Sequence, residues 1–210
     1  MNAINEKEGT FHMTVEEIVK TRRSIRKYKD TPVPKELIEQ VLKAGMAAPS
    51  SKNRQPWKFL VVSGQAKDDA LRTMEEGLKR ERLDPLIPKS APYIGGSEYT
   101  LKIMKEAPVV IFVVNPLAVQ MGGDMSSDDR ISEICNAQSV GAAIENMALT
   151  ATELGLGSLW ICDTFFAQRE LDQWLGETGE LYAALALGYA DEAPHARPRK
   201  VYSDVVVWRT

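Results

Sequence analysis

Arg22-Arg-Ser-Ile-Arg-Lys-Tyr-Lys29 packs five basic residues and a serine into eight positions. Arginine offers a planar fork of donors that matches a phosphate, and Ser24 adds a hydroxyl. A dianionic phosphomonoester would favour two or more such arginines. The same run also suits a solvated basic turn that complements a helix C-terminus. A second cluster, Ala48-Pro-Ser-Ser-Lys-Asn-Arg-Gln-Pro-Trp57, lies between a helix and a strand. There Asn53 and Gln55 would present paired donors and acceptors to the edge of a heterocycle, with hydroxyls from Ser50 and Ser51 and stiffness from the prolines. An ordinary polar loop has the same composition, and Trp57 reads better as a core anchor than as a stacking residue. In Glu153-Leu-Gly-Leu-Gly-Ser-Leu-Trp-Ile-Cys162 a helix stops at glycines and the chain re-enters as a strand; a helix C-cap alone would explain Gly155. Arg197-Pro-Arg-Lys200 is a further basic run, which in isolation is solvated surface.

Other chemistries are poorly served. Only two histidines occur, His12 in a polar N-terminal stretch and His195 in a Pro-rich one. A hydrolase of the Ser-His-Asp or Cys-His kind needs an imidazole held against its nucleophile. Cys135 and Cys162 are too few for a disulfide framework or, with these histidines, a zinc site. No HExxH, paired CxxC, EF-hand, P-loop or GxGxxG spacing is present. If the chain is an enzyme, a bound cofactor is the expected source of its reactive chemistry. The formal net charge of -3, from 26 Lys+Arg against 29 Asp+Glu, gives no global attraction to nucleic acid or an anionic membrane. The longest apolar run, Leu181 to Leu187, is far short of the ~20 residues of a membrane helix. Nothing in the polar N-terminus reads as a secretory signal, so a cytoplasmic protein is expected.

The elements that must position these clusters follow from patterning. With 210 residues, 44% hydrophobic and 26% charged, the chain suits one globular domain. Residues 1–13 read as a flexible leader. Thr14-Val-Glu-Glu17 has capping-box spacing for a first helix, and Pro34 suits the first turn of a second, Lys35 to Ala47. Lys58 to Ser63 reads as a strand and Asp68 to Leu83 as a charged amphipathic helix. Residues 84–106 carry three prolines and give no clear element. Val109 to Val114 is apolar on both faces, the mark of a central strand in a covered sheet. Gly122 to Asp129 reads as a flexible acidic loop and Ser132 to Leu154 as a long helix rich in small residues. Ser158 to Cys162, Tyr182 to Leu187 and Val201 to Trp208 are the remaining strand candidates, with a short helix ended by Gly176 among them. Irregular alternation of helices and strands implies a sheet covered by helices.

Taken in order, these segments resemble the nitroreductase family of FMN-dependent oxidoreductases, from about Thr14 to Trp208. The resemblance rests on Arg22-Arg-Ser-Ile-Arg26, on Ala48-Pro-Ser-Ser with Gln55-Pro-Trp57, and on Glu145-Asn146 followed by Gly155-Leu-Gly-Ser-Leu-Trp160. It implies an α+β fold: a three-layer α-β-α sandwich around a mixed, mostly antiparallel sheet, in an intertwined homodimer with FMN at the interface. By that resemblance Arg22, Arg23, Ser24 and Arg26 hold the phosphate and reach the pyrimidine edge of the flavin. Pro49, Ser50, Ser51, Asn53 and Gln55 contact the flavin bound mainly by the other subunit. Leu159, Trp160 and Ile161 lie along the ring system, and Arg199 helps bind the phosphate, with Lys200 beside it. Residues 84–106 fall where the family shapes its substrate pocket, and residues 201–210 form a C-terminal strand or arm that reaches across. The implied reaction is hydride transfer from NAD(P)H through flavin N5 to a nitroaromatic, quinone or related electrophile, with ping-pong kinetics and no catalytic side chain or metal. Reductive dehalogenation or flavin–oxygen chemistry on the same scaffold stays open, as does a flavin-binding module without turnover.

Overall fold

The computed structural model describes residues 13–119 and 124–210, so most of the expected leader, His12, and Gly122 and Gly123 of the expected acidic loop lie outside the described residues. Among the described residues the chain runs α1 (Val15–Thr21), α2 (Lys35–Met46), β1 (Lys58–Ser63), α3 (Gly64–Leu83), α4 (Ile94–Glu106), β2 (Val109–Asn115), α5 (Ser127–Glu153), β3 (Gly157–Ile161), α6 (Gln168–Leu175), β4 (Glu180–Gly188) and α7 (Tyr202–Val205). The capping box at Thr14 forms as its spacing predicts, with Thr14 and Glu17 each accepting from the other's backbone N–H. Gly176 ends α6 in the left-handed conformation (φ 64).

The four strands make one sheet in the order β1-β2-β4-β3. Every strand pair in it is antiparallel; the one parallel pairing among the described residues is an isolated bridge between Ser24 and Ser158. Side-chain alternation divides β2 between two cores. Val110, Phe112 and Val114 join Leu71 and Met74 of α3, Met104 of α4 and Leu171 of α6 on one side. Val109, Ile111 and Val113 join Val41 of α2 and Ile144 and Met147 of α5 on the other. This is the three-layer arrangement, and Trp57 packs against the second core as an anchor of β1. A bulge between Val113 and Val114 leaves Tyr182 of β4 unpaired, because Val113 faces Ala183 and Val114 faces Leu181. No helix of the described residues is long and apolar enough to cross a membrane.

Three expectations are corrected. Ser127, Asp128 and Asp129 belong to α5 and not to an acidic loop, because Ser126 caps that helix reciprocally with Asp129. Residues 84–106 contain a 13-residue helix, α4, and the turn before it is ordered from a distance. The carboxylate of Glu81, 2% exposed, accepts the Leu86 and Ile87 N–H groups at 2.9 Å each. Burial pushes that carboxyl up, but these donors with Ser90 and Arg80 outweigh it and hold its pKa below the usual value. Val201 to Trp208 is not a strand of this chain's sheet: Tyr202–Val205 is a single helical turn, and Val207 and Trp208 are 80% and 77% exposed. It pairs with no strand of its own chain.

Candidate functional site: a basic cavity built from both ends of the chain

After α1 the chain turns extended and is laced to the sheet. Ile25 N–H donates to the Ser158 carbonyl on β3 at 2.9 Å, Lys29 N–H to Tyr189 O at 2.9 Å, and Asp191 N–H to Lys27 O at 2.9 Å. Ile25 and Tyr28 point inward and are buried, so their neighbours face outward. Two glycines directly opposite each other, Gly157 of β3 and Gly188 of β4, make room for them. A Cβ at Gly157 would lie 2.8 Å from Ile25 Cγ1, and one at Gly188 would lie 2.9 Å from Tyr28 Cδ1 and 2.5 Å from Pro108 Cδ. The Tyr28 hydroxyl donates to Ile25 O at 2.9 Å. Burial, reinforced by Glu192, pushes its pKa well up, so it stays a donor.

The outward side chains meet the residues that follow β4. Arg22, Arg23, Ser24 and Arg26, with Lys20 of α1, share a cavity of about 490 Å³ with His195, Arg197 and Arg199. Among the described residues no carboxylate lines it. Arg22 Nε pairs with Glu145 of α5 at 3.2 Å. Arg23 Nη1 donates to the carbonyls of Lys20 at 2.7 Å and Arg22 at 2.8 Å, while its buried Nε has no partner. Arg26 Nη1 donates to Ser24 O at 3.2 Å, and its backbone N–H donates to the Glu192 carboxylate. Arg199 Nη1 donates only to neighbouring backbone carbonyls. A concentration of guanidiniums without lining acids, holding a buried donor in reserve, fits an oxyanion with several acceptor atoms. A phosphomonoester is such a group.

The other expected site residues are placed differently. Pro49, Ser50, Ser51, Asn53 and Gln55 form a loop against α5, where Ser51 N–H donates to Ser139 Oγ at 3.2 Å, and none of them lines the basic cavity. That loop is strained: Lys52, Asn53 and Gln55 have φ of 54, 53 and 49. The Gln55 N–H donates to Ser50 Oγ at 3.0 Å, and the Asn53 and Gln55 side chains are left exposed. Such strain gathers where a backbone is held for a ligand. On β3, Leu159 and Ile161 are buried in the first core and neither lines the basic cavity. Trp160 faces the other way, toward Gly141 of α5, and is 41% exposed. Lys200 lies outside the basic cavity, whereas Lys20 and His195 line it and were not picked out, and Arg197, read only as part of a basic run, lines it as well. Their signal was available: His195, Arg197 and Arg199 recur every second residue, the period that puts side chains on one side of an extended chain.

A family model described as "Nitroreductase family" matches residues 19–189. Over 150 residues the chain is 36% identical to "Putative NADH dehydrogenase/NAD(P)H nitroreductase" of Methanothermobacter thermautotrophicus, spanning 70% of this chain and 60% of that longer protein. It is 28% identical over 196 residues to "Putative NAD(P)H nitroreductase YfhC" of Bacillus subtilis, covering 92% of this chain and 93% of the relative. Among solved structures, a BluB-like flavoprotein from Clostridium difficile 630 superposes with a TM-score of 0.77 at 25% identity, over 94% of this chain and all of the other. The match spans the basic turn and all four strands of the sheet, and on it the chain belongs to the nitroreductase family.

Proposed function

We propose that this chain is an FMN-dependent oxidoreductase that takes hydride from NAD(P)H and delivers it to a nitroaromatic, quinone or related electrophile by a ping-pong cycle. The observation that carries the reading is the convergence of Arg22, Arg23 and Arg26 with Arg197 and Arg199 on one cavity that no carboxylate lines among the described residues, with Arg23 Nε buried and unpartnered. The flavoprotein likeness and the nicotinamide named for both relatives support it.

When bound, FMN supplies hydride acceptance and donation at N5. The chain supplies the rest. Arg23, Arg26, Arg197 and Arg199 would hold the phosphate, with the Ser24 hydroxyl as a further donor. Positive charge of the basic turn beyond what the phosphate neutralises would offset negative charge gained on reduction. Pro49 to Gln55 would serve a flavin held mainly by a second copy, since the fold keeps that loop away from its own basic cavity. Exposed Val15 and Val19 on α1, and Val201, Tyr202, Val207 and Trp208 beyond β4, support a homodimer that covers them.

The test is an absorbance spectrum of the purified protein, chromatography of the released cofactor, and anaerobic titration with NADH and NADPH. A yellow protein releasing FMN, bleached by a nicotinamide and reoxidised by the acceptor, is expected. FAD, a colourless protein that takes up no FMN, or FMN that neither nicotinamide bleaches would overturn the proposal.

A further inference from the structure

The basic cavity holds more positive charge than one phosphomonoester uses. Lys20, Arg22, Arg23, Arg26, Arg197 and Arg199 put six cations on its walls, with His195 beside them. Two of the six are matched by carboxylates that do not line it: Arg22 by Glu145 at 3.2 Å, and Lys20 by Glu16 one helical turn back. The second match is weak, because those side chains are 70% and 75% exposed and solvent screens them. Glu192 accepts the Arg26 backbone N–H and lines the neighbouring groove, so it offsets part of one more charge. The guanidiniums of Arg23, Arg26 and Arg199 donate to main-chain carbonyls, which satisfy donors without removing charge. A phosphomonoester brings at most about two negative charges. A surplus remains.

The charge is also spread along a length. The turn from Arg22 to Arg26 and the segment from His195 to Arg199 each advance four residues, up to roughly 13 Å of chain. Two basic rows of that length make a slot, whereas a single phosphate is a point. The volume of about 490 Å³ is likewise that of a site for a whole small ligand. From the surplus charge and the length of the slot we infer that the cavity seats a second phosphate group, the 2′-phosphate of NADPH, and that the enzyme therefore prefers NADPH to NADH. The nicotinamide donor is the other phosphate-bearing molecule that the proposed reaction brings, and its two forms differ in this one dianionic monoester. The diphosphate they share cannot discriminate between them. Lys20 and His195, which are not needed for the flavin phosphate, are the lining groups left for the second one. The inference rests on the reading of this cavity as the FMN phosphate site and adds to it the choice of donor.

FMN-loaded protein tests it, through reduction by NADPH and by NADH and through isothermal titration with adenosine 2′,5′-bisphosphate and adenosine 5′-monophosphate. At low salt kcat/KM should favour NADPH about tenfold or more, the scale of a charge-assisted hydrogen bond. The bisphosphate should bind about tenfold or more tightly than the monophosphate and compete with NADPH, while the flavin spectrum shows no FMN released. Raising salt from about 50 to about 500 mM should shrink the preference. Lys20→Met, at an exposed helical position, should lower the NADPH-to-NADH ratio about threefold to fivefold with FMN content unchanged. Should that variant hold less FMN, the wild-type ratio and titrations still decide the matter. Equal efficiency with the two donors, a preference indifferent to salt, equal affinity for bisphosphate and monophosphate, or FMN displaced by the bisphosphate would overturn the inference and leave the flavin reading standing. A protein that takes up no FMN would overturn that reading, and the inference with it.

Discussion

Gly157→Ala should damage the basic cavity without touching a residue that lines it. The new Cβ would sit 2.8 Å from Ile25 Cγ1, 2.9 Å from Cγ2 and 3.0 Å from Cβ. Ordinary carbon contacts are about 3.5–4.0 Å, so Ile25 must retreat by roughly 0.5–1 Å. It has little freedom to do so. The clashing atoms are the branched root of the side chain, Ile25 is 6% exposed, and its N–H is tied to Ser158 O at 2.9 Å. Overpacking of this kind costs about 1–3 kcal/mol, or roughly 2–12 °C of melting temperature for a chain of this length. Because Ile25 lies between Ser24 and Arg26, its retreat shifts the arginine turn against His195–Arg199. FMN affinity should therefore fall about tenfold or more, the equivalent of ~1.4 kcal/mol. Thermal melts followed by circular dichroism give the first quantity, and quenching of FMN fluorescence gives the second. Ile25→Ala alone removes buried methyls at a cost of about 2–5 kcal/mol. Combined with Gly157→Ala it removes the clashing γ carbons, so the double variant should cost at least about 1 kcal/mol less than the sum. A Gly157→Ala protein with wild-type melting and FMN affinity, or an additive cycle, would refute the anchoring role of Ile25.

The remaining predictions concern the phosphate, acid stability and the C-terminal segment. Arg23→Ala should weaken FMN binding by about 1.5–3 kcal/mol, or roughly 10- to 150-fold, as charge-assisted hydrogen bonds are lost. Arg23→Lys should lose less, since the charge stays while the Nε donor goes; unchanged affinity in both would leave the turn as solvated surface. The Glu170 carboxyl is lowered from 4.5 to about 2, chiefly by its bidentate pair with Arg80 at 2.9 Å and 2.9 Å, with burial opposing. A depressed native pKa stabilises fully above the unfolded value near 4.5 and is lost as pH falls toward 2. Glu170→Gln should accordingly flatten the fall in stability across that window, and an unchanged acid profile in denaturant titrations would count against the pair. Truncation after Lys200 removes side chains that are mostly exposed on their own chain. Sedimentation should show a folded monomer with weakened FMN binding, and a truncated dimer with full affinity would exclude the arm from the interface.

What could be read from residues alone was local or periodic. The unbroken apolar run Val109 to Val114 places β2 inside the sheet, and it is found with both faces buried between β1 and β4. Thr14 with Glu17 announces α1 because both capping partners lie within one turn. The 84–106 segment was opaque for the converse reason. Its prolines break the helical period, and its order comes from Glu81, whose carboxylate reaches ahead to backbone donors five and six residues on. The C-terminal run misled because contiguous apolar residues report a wish for burial without saying whose surface supplies it. Gly155 and Gly157 looked like one weak motif and have two separate causes. Gly155 takes φ 73 after α5 with open space around its missing Cβ, whereas Gly157 yields its volume to Ile25.

That last distinction explains how far the site itself was legible. The residue types at Arg22–Arg26 and Arg197–Arg199 name an anion as ligand, but each run alone is indistinguishable from solvated surface. Only juxtaposition separates the readings, and it is produced by groups with no charge at all. Ile25 and Tyr28 fill the space left by Gly157 and Gly188, and main-chain bonds from Lys27 and Lys29 to residues 189–191 bring the start of the domain alongside the exit of β4. The arginines then face one another because their inward neighbours are held. Like charges so gathered repel, and Glu145 on Arg22 and Glu16 on Lys20 offset that repulsion only in part, from outside the lining residues. The fold therefore sustains an electrostatic cost at this place that an anionic ligand would relieve, and the apolar anchors beneath the turn are what keep the arginines from dispersing before it arrives.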